Sequence, residues 1–323
     1  MIIESVSGVC LALLIDLIFG DPKNKFHPTA WIGSFIARLA PWAKNQSNHK
    51  ELVFGVFLVI AITATVLSLI LLLQVGLHLI KPELLSFILS IIVTSVLLKT
   101  TIAIKEMERR TNAIIYSIDK NDLISARGNL SMIVKRKTGN LDKDHVLSGT
   151  LESIGENIVD GITGPLFYFG LFGLPGAFVY RTVNTIDSMI GYKTLLFSNV
   201  GWFGANCDKC LNYLPSRITG FIIVLASILT GDDWRNSLRI LRRDSRKTQS
   251  PNAGYPMSAL AGALGTKFEK VGQYEIGDGS LSFTKEHVKQ AIKIMKISAI
   301  LFSALVSIPI IMTLSYLGGW IHA

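Results

Sequence analysis

Residues 52–80 read LVFGVFLVIAITATVLSLILLLQVGLHLI, residues 81–83 read KPE, and residues 84–104 read LLSFILSIIVTSVLLKTTIAI. A helix needs about 20 predominantly apolar residues to cross the hydrocarbon core of a bilayer. Both runs meet that length, and only Lys81-Pro82-Glu83 separates them. The pattern predicts two antiparallel membrane-crossing helices joined by a tight turn. Working outward, Ile2–Phe19, residues 216–230 and residues 292–317 have the same apolar character. Residues 161–180 are apolar too, but Gly164-Pro165, Gly170, Gly173 and Pro175-Gly176 interrupt them. Breakers at that density are tolerated at membrane depth only where protein or a wet cavity serves the freed backbone groups. This segment is expected to be a broken or re-entrant helix. The fold class is therefore all-α: one polytopic membrane-embedded domain over residues 1–323, with spans near 2–19, 52–80, 84–104, 161–180, 216–230 and 292–317.

Composition agrees with this reading. Half of the 323 residues are hydrophobic and 17% are charged, against about a quarter charged in soluble domains. That excludes an ordinary soluble enzyme and a disordered chain. The net charge of +9 needs no nucleic acid to explain it, because cytoplasmic loops of membrane proteins collect Lys and Arg. The cytoplasmic membrane is the expected location, with the basic stretch 21–51 and the loops 105–160 and 231–290 inside. Both long loops are expected to be helical. Three cysteines cannot make a disulfide framework, and Cys207-x-x-Cys210 lacks the second pair of a zinc site.

Several stretches carry chemistry. Leu147, Leu151, Ile154 and Ile158 form one apolar stripe at helical spacing. Glu152, Glu156 and Asp160 lie four apart on the opposite face, either as a solvated acidic surface or as a Mg²⁺ site. Asp16 lies inside the first span, where an ionisable residue is a functional candidate, and Asp21 and His27 follow among Pro22 and Pro28. Residues 181–193 read as a loop that packs amide, hydroxyl, carboxylate and cation groups between apolar runs, a suitable lining for a polar cavity. A Pro/Asn/Gly turn, Ser250-Pro251-Asn252-Ala253-Gly254, leads into a small-residue helix. Upstream, Arg235, Arg239, Arg242 and Arg246 form a basic stripe suited to anionic headgroups or, less commonly, a polyanionic substrate. Walker, zincin, Gly-x-Ser-x-Gly and kinase signatures are absent.

Taken in order, these pieces resemble the adenosylcobinamide-phosphate synthase family of cobalamin biosynthesis, CbiB or CobD. The resemblance rests on Asp16…Gly20-Asp21-Pro22…His27-Pro28…Trp31-Ile32-Gly33, on Glu152-Ser153…Glu156-Asn157…Asp160 and on Pro165-Leu166. It continues through Gly173…Pro175-Gly176…Tyr180-Arg181…Asn184-Thr185…Asp187-Ser188-Met189…Gly191-Tyr192, Pro215-Ser216-Arg217 and Ser250-Pro251-Asn252-Ala253-Gly254. It implies a ligase that joins the free carboxylate of the corrinoid adenosylcobyric acid to aminopropanol or its phosphate, with ATP and Mg²⁺. Laid over the matching positions, that chemistry makes Glu152, Glu156, Asp160 and Asp187 metal ligands. Arg181, Lys193, Arg217 and Arg243 become phosphate contacts, with Arg127 and Arg136 as weaker ones. Asp21, His27, Asn184 and Asn252 become the catalytic and substrate-orienting set. Corrinoid, amino-alcohol and lipid bilayer are the expected partners, nucleic acid is not, and a homo-oligomer is compatible. The chain departs from the family pattern at Asp208-Lys209, Arg136-Lys137-Thr138, Thr248 and Phe268-Glu269-Lys270. Two other classes share the architecture: an AmpE-like membrane sensor, and a transporter whose broken helix lines a substrate path.

The charge pattern makes a topological prediction. Reporter tags inserted in residues 125–139 and in residues 242–250 should both read the cytoplasmic side, because the flanking Lys and Arg resist translocation. Tags reading opposite sides would overturn the arrangement.

Overall fold

The computed structural model describes residues 2–43, 47–191 and 197–318. In chain order its helices are α1 (Ile2–Phe19), α2 (Pro28–Leu39), α3 (Asn48–His78), α4 (Glu83–Lys99), α5 (Ile104–Asp119), α6 (Leu123–Ser131) and α7 (Lys143–Ile158). Then come α8 (Gly164–Ile190), α9 (Trp202–Leu211), α10 (Tyr213–Thr230), α11 (Trp234–Asp244) and α12 (Gly254–Leu264). A hairpin of β1 (Lys267–Lys270) and β2 (Tyr274–Gly277) precedes α13 (Lys285–Phe302) and α14 (Ile308–Tyr316). Among the described residues, six stretches are long and apolar enough to cross a membrane: Ile2–Phe19, Asn48–His78, Glu83–Asp119, Lys143–Ile190, Tyr213–Thr230 and Lys285–Tyr316. The chain is an all-α polytopic membrane protein, as its apolar runs predict.

The chain divides into two compact units. The first comprises α1–α4, α8, α9 and α14. Within it α1 packs along α4, and α3 packs on α8 and α9. Small residues set the close approaches: a Cβ on Gly8 of α1 would come within 2.8 Å of Thr94 Cγ2 on α4. The segment 161–180 is indeed a broken helix, and the break falls on Gly173, whose φ of 62° and ψ of −154° are non-helical. Only glycine adopts such a conformation at low cost. Pro175 lies two residues later inside α8 and removes a backbone donor there. The polar stretch after residue 180, expected as a loop lining a cavity, is helical as far as Ile190. Arg181 and Asn184 are therefore one turn apart on a single helix.

The second unit comprises α5–α7, α10–α13 and the hairpin. Its core follows the periodicity of the sequence. On α5, Ile104, Met107, Thr111, Ile114 and Ile118 are buried, and on α7 so is the stripe Leu147, Leu151, Ile154 and Ile158. Asp122, Asp142 and Asp233 cap α6, α7 and α11 by accepting the backbone N–H groups of Ser125, His145 and Asn236. Gly262 lets α12 lie against the backbone of Asn236 and Ser237 on α11. Two features correct the expectation of purely helical loops. The antiparallel hairpin pairs Phe268 with Ile276, both buried, while Gly272 turns the chain at φ 72°. Each strand buries a single residue, Phe268 or Ile276, and the backbone pairing of the two strands carries the hairpin. The second feature is a π-helical turn, Val159–Thr163, directly after α7. Asp160 falls on this turn, whereas Glu152 and Glu156 lie on the regular helix before it.

Packing around Gly164 yields a stability prediction. A Cβ there would land on the Tyr180 ring, which is fully buried and donates from its hydroxyl to Asn212 Oδ1 at 2.7 Å. Gly164→Ala should destabilise the protein by about 1–3 kcal/mol, the usual cost of overpacking. Gly76→Ala, with no atom within 4 Å of the added carbon, should hold or raise stability. Thermal unfolding in detergent checks both, and equal melting of the two variants would refute the steric account.

Candidate functional site

The first group of predicted residues gathers at one end of the first unit. Helix α1 stops at Phe19, Gly20 turns the chain with φ of 70°, and Pro22 keeps it from re-entering a helix. After a short 3₁₀ turn, His27 is the N-cap of α2 and Pro28 its first residue. Thr29 Oγ1 donates to the carbonyl of Thr100 at 3.1 Å and fixes this start beside the end of α4. Lys99 closes the cluster. It is 3% exposed and forms ion pairs with Asp21 Oδ1 and, at 3.4 Å, with Asp16 Oδ1, Asp16 having no exposed surface. His27 Nε2 lies 3.5 Å from Asp21 Oδ1. Burial alone would raise the Asp21 carboxyl, but hydrogen bonds from His27 and Lys99 outweigh it and hold the group below the ordinary value.

A second set in this unit runs from α8 to α9. Arg181 Nη1 donates to Asn184 Oδ1 at 3.4 Å, and Asn184 Nδ2 donates to Asp208 Oδ1 at 3.1 Å. Asp208 Oδ2 accepts from Asn212 Nδ2 at 3.0 Å, and Asn212 accepts from Tyr180. The lone acid of the Asp208-Lys209 pair is thus the hub of a polar chain. Asp187 is half-buried near the end of α8, and its carboxylate occupies the space a side chain on Gly191 would need. Lys193 falls outside the described residues. Cys207 and Cys210 are free thiols on α9.

The remaining predicted residues belong to the second unit. Glu152 is buried, and its two oxygens face protein donors. Oε1 accepts from Arg136 Nη2 and from Ser148 Oγ, both at 2.9 Å, and Oε2 accepts from the Tyr274 hydroxyl at 2.7 Å. Ser148 Oγ in turn accepts the Glu269 N–H at 2.8 Å, which fastens the hairpin to α7. Burial and the adjoining Glu152 charge push the Tyr274 phenol well up, so it stays a donor. One turn on, Glu156 is exposed, and Asp160 is half-exposed on the π turn. Among the described residues, no three His, Cys, Asp or Glu side chains form a group that could hold a metal ion by themselves.

Arg217 lies between two aromatic faces, 3.5 Å from the Tyr213 ring centroid and 4.4 Å from that of Tyr255. Its Nη1 also donates to Asn252 Oδ1 at 3.3 Å, which joins two motif residues directly. Arg243 has a different setting. It grips buried Asp244 through Nε and Nη2, both at 2.7 Å, and Asp278 through Nη1 at 2.6 Å. Burial would raise Asp244, yet hydrogen bonds from Arg243, Lys247 and the Gly277 N–H bring it down to about 2. Arg127 donates to the carbonyl of Leu141 at 2.6 Å, which clamps the loop before α7.

These residues, at these places, follow a known pattern. The family described as CobD/Cbib protein matches residues 9–297. The chain belongs to the CobD/CbiB family. It is 40% identical over 300 residues to the "Probable cobalamin biosynthesis protein CobD" of Methanothermobacter thermautotrophicus, covering 93% of this chain and 96% of that protein. It is 37% identical over 305 residues to the "Cobalamin biosynthesis protein CobD" of Leptospira interrogans, covering 91% and 94%. The same printed name belongs to a Dehalococcoides mccartyi protein, 37% identical over 268 residues, covering 83% and 85%. No solved structure matches the chain.

In this CobD/CbiB family member, motif reading passed over several residues that contact the candidate side chains. Lys99 lies near the end of the apolar run 84–104, where a cation reads as an ordinary flank; its signal is that the run continues to Ile104 beyond it. Tyr274 and Ser148 reach Glu152 only through the hairpin, and no local pattern marks them. Tyr213 and Tyr255 flank motif stretches without belonging to them.

The Lys99 cluster has a measurable consequence. Lys99→Met would leave the buried carboxylate of Asp16 and the half-buried one of Asp21 without their lysine, and breaking a buried pair in this way typically costs about 3–5 kcal/mol. In the parent, Asp21 has a lowered pKa and so contributes stability above its unfolded value of 3.8. In the variant the uncompensated carboxylates destabilise the fold once ionised. The gap in melting temperature between the two should therefore widen as pH rises through the ordinary carboxylate range. Adding Asp16→Asn to Lys99→Met should narrow it. A pH-independent gap would show that Lys99 contributes packing rather than charge.

Proposed function

We propose that this chain acts in cobalamin biosynthesis, in the cytoplasmic membrane, as an ATP-dependent ligase. It joins the free carboxylate of adenosylcobyric acid to aminopropanol or its phosphate as an amide. The observation that carries the reading is the family match over nearly the whole chain, in register with relatives named for cobalamin biosynthesis. A carboxylate and an amine do not condense unaided in water. Attack of the carboxylate oxygen on the γ-phosphorus of ATP, with ADP leaving, gives an acyl phosphate. Attack of the neutral amine on its carbonyl carbon then releases phosphate, and the amine proton passes to a base. Positioning and charge stabilisation supply most of the catalysis in such a phosphoryl transfer.

The side chains support a division of labour. Arg217, held flat between Tyr213 and Tyr255, keeps a planar fork ready for phosphate oxygens. Arg181 and Lys193 are assigned the same task in the first unit, and Asn184 and Asn252 orient substrate amides. Asp21 with His27 is assigned the amine proton, with Lys99 keeping Asp21 ionised. Arg243, engaged with Asp244 and Asp278, contributes positive potential rather than a free fork. Magnesium arrives with ATP and usually keeps several waters, needing only one or two protein carboxylates beside the phosphates. Glu156, Asp160 and Asp187 have the exposure for that task. Glu152, whose oxygens accept from Arg136, Ser148 and Tyr274, is better suited to holding the α7 surface in place.

Purified protein incubated with cobyric acid, ATP·Mg²⁺ and aminopropanol or its phosphate should yield one amide per ADP released, read by mass spectrometry. Glu156→Gln should slow this and recover part of the rate at raised Mg²⁺. Glu152→Gln should lower the melting temperature without magnesium rescue. Arg217→Lys should lose rate at least tenfold without rescue. Absence of amide product with either amine, from protein that is folded and binds the corrinoid, would reject the ligase reading.

A further inference from the structure

The β hairpin of the second unit carries a cation that the roles above leave unused. Side chains alternate between the two faces of a strand. Lys270 therefore shares a face with Phe268 on β1 and, across the pairing, with Tyr274 and Ile276 on β2. Phe268 and Ile276 are buried, and Tyr274 reaches α7 from that face to donate to Glu152 Oε2. Lys270 ends the same row. Its register partner is Tyr274, and its ammonium stands 5.9 Å from the Tyr274 ring centroid. Lys267, three residues earlier, is paired with Glu269 and Glu275. The Lys270 ammonium makes no hydrogen bond or ion pair with any described residue.

Glu156 is the acidic member of this corner. It lies one turn, about 6 Å along the axis at 1.5 Å per residue, beyond the Glu152 that Tyr274 touches. The charges of Lys270, Lys135 and Arg136 all act on it, yet its carboxylate accepts no hydrogen bond and forms no ion pair with a described residue. Arg136 is a second open donor. Its Nη2 holds Glu152 Oε1 and lodges where a side chain on Gly149 would stand. Its Nε and Nη1 have no acceptor among the described residues, and the side chain is 14% exposed. A lysine ammonium on its flexible four-carbon stem could close on a nearby carboxylate, but here both groups stay open. Two open cations beside one open carboxylate match a ligand whose phosphate has a positive charge next to it. The phosphate oxygens take the lysine and the guanidinium, and the adjoining cation relieves the repulsion from Glu156. Both phosphate-bearing reactants of the ligase reading have this chemistry: ATP carries magnesium against its phosphates, and aminopropanol phosphate carries its own ammonium.

We infer that Lys270 and Arg136 form a phosphate subsite beside Glu156, with Lys270 as a binding residue and Glu152 and Tyr274 as positioning residues behind it. The subsite follows from the side chains themselves, and only the choice of its two candidate ligands rests on the ligase reading.

The test is equilibrium binding to the purified full chain in detergent, without corrinoid. ATP·Mg²⁺, aminopropanol phosphate and unphosphorylated aminopropanol are the separate probes. Lys270→Gln should raise the Kd of at least one phosphate ligand by about tenfold or more, and the ligand affected identifies the source of the phosphate. Aminopropanol, which has no phosphate, should be indifferent to the change. Lys270→Arg keeps the charge and should restore most of the affinity. Lys270→Gln should melt like the parent, because the ammonium bonds to nothing in the fold, whereas Tyr274→Phe should lower the melting temperature and weaken the same ligand. Amide formation by the parent is measured alongside. Lys270-dependent phosphate binding without amide product would reject the ligase reading and leave the subsite standing. Amide product from the parent, with both phosphate ligands binding Lys270→Gln as tightly as the parent, would overturn the subsite and leave the ligase reading. A defect that Lys270→Arg shares in full, or a folded parent that binds neither phosphate ligand, would overturn the subsite as well.

Discussion

A charged group shut away from water must be matched within hydrogen-bond reach, and Lys99 does this for two carboxylates at once. Asp16 belongs to α1, Asp21 to the turn after it and Lys99 to the end of α4, so one ammonium fixes three pieces of backbone. The carboxylates would repel each other without it. Their joint attraction for the lysine decides where α1 ends relative to α4, and hence where the Gly20–His27 turn stands. Because His27 caps α2 from that turn, the position of α2 follows from the same contact. Two features often treated separately, a membrane-embedded acid and a motif histidine, are thus parts of one electrostatic arrangement.

The second unit solves a comparable problem without a lysine. Glu152 is buried on α7 but accepts from a guanidinium, a serine hydroxyl and a phenol. Each donor comes from a different segment, so the carboxylate gathers the loop before α7, α7 itself and the β hairpin. The high pKa of the Tyr274 phenol keeps that donor protonated across the physiological range. Arg243 and Asp244 repeat the principle on α11, where a carboxylate with no exposed side-chain surface also accepts the Gly277 N–H from the far end of the hairpin. Charged pairs at both ends therefore locate the hairpin, and its few backbone hydrogen bonds need not do so alone.

How far these arrangements could be read in the sequence depends on the range of the interaction. Apolar periodicity acts over one or two turns, so the spans, the stripe Leu147–Ile158 and the break among Gly170, Gly173 and Pro175 were all legible. The hairpin was not: eight strand residues offer too short a window, and with one buried residue per strand, Phe268 and Ile276, they present no alternation to read. Arg181–Ile190 was misread as a loop because polar residues inside a helix facing protein look the same as polar residues in a turn. Glu152 and Glu156 share a helix face in any periodic reading, yet one is buried and the other exposed. What separates them is Tyr274, about 120 residues downstream, and sequence spacing has no access to a contact of that separation.

The irregular turns, like the charged pairs, follow from what surrounds the backbone. The π turn at Val159–Thr163 adds a residue to one helical turn and so rotates everything after it relative to α7. The acidic row is parted along the chain: Glu152 and Glu156 lie on regular α7, where Glu152 serves the fold and Glu156 meets solvent, and Asp160 alone belongs to the turn that leads into α8. Thr163, at the end of that turn, shares a 2.6 Å hydrogen bond with Thr219 on α10, and both are fully buried. That pairing satisfies two hydroxyls and anchors the irregular turn against a neighbouring helix within the same unit. A carboxylate row that looks uniform in one dimension is thereby given three environments, and with them three different capacities to hold a proton, a partner or an ion.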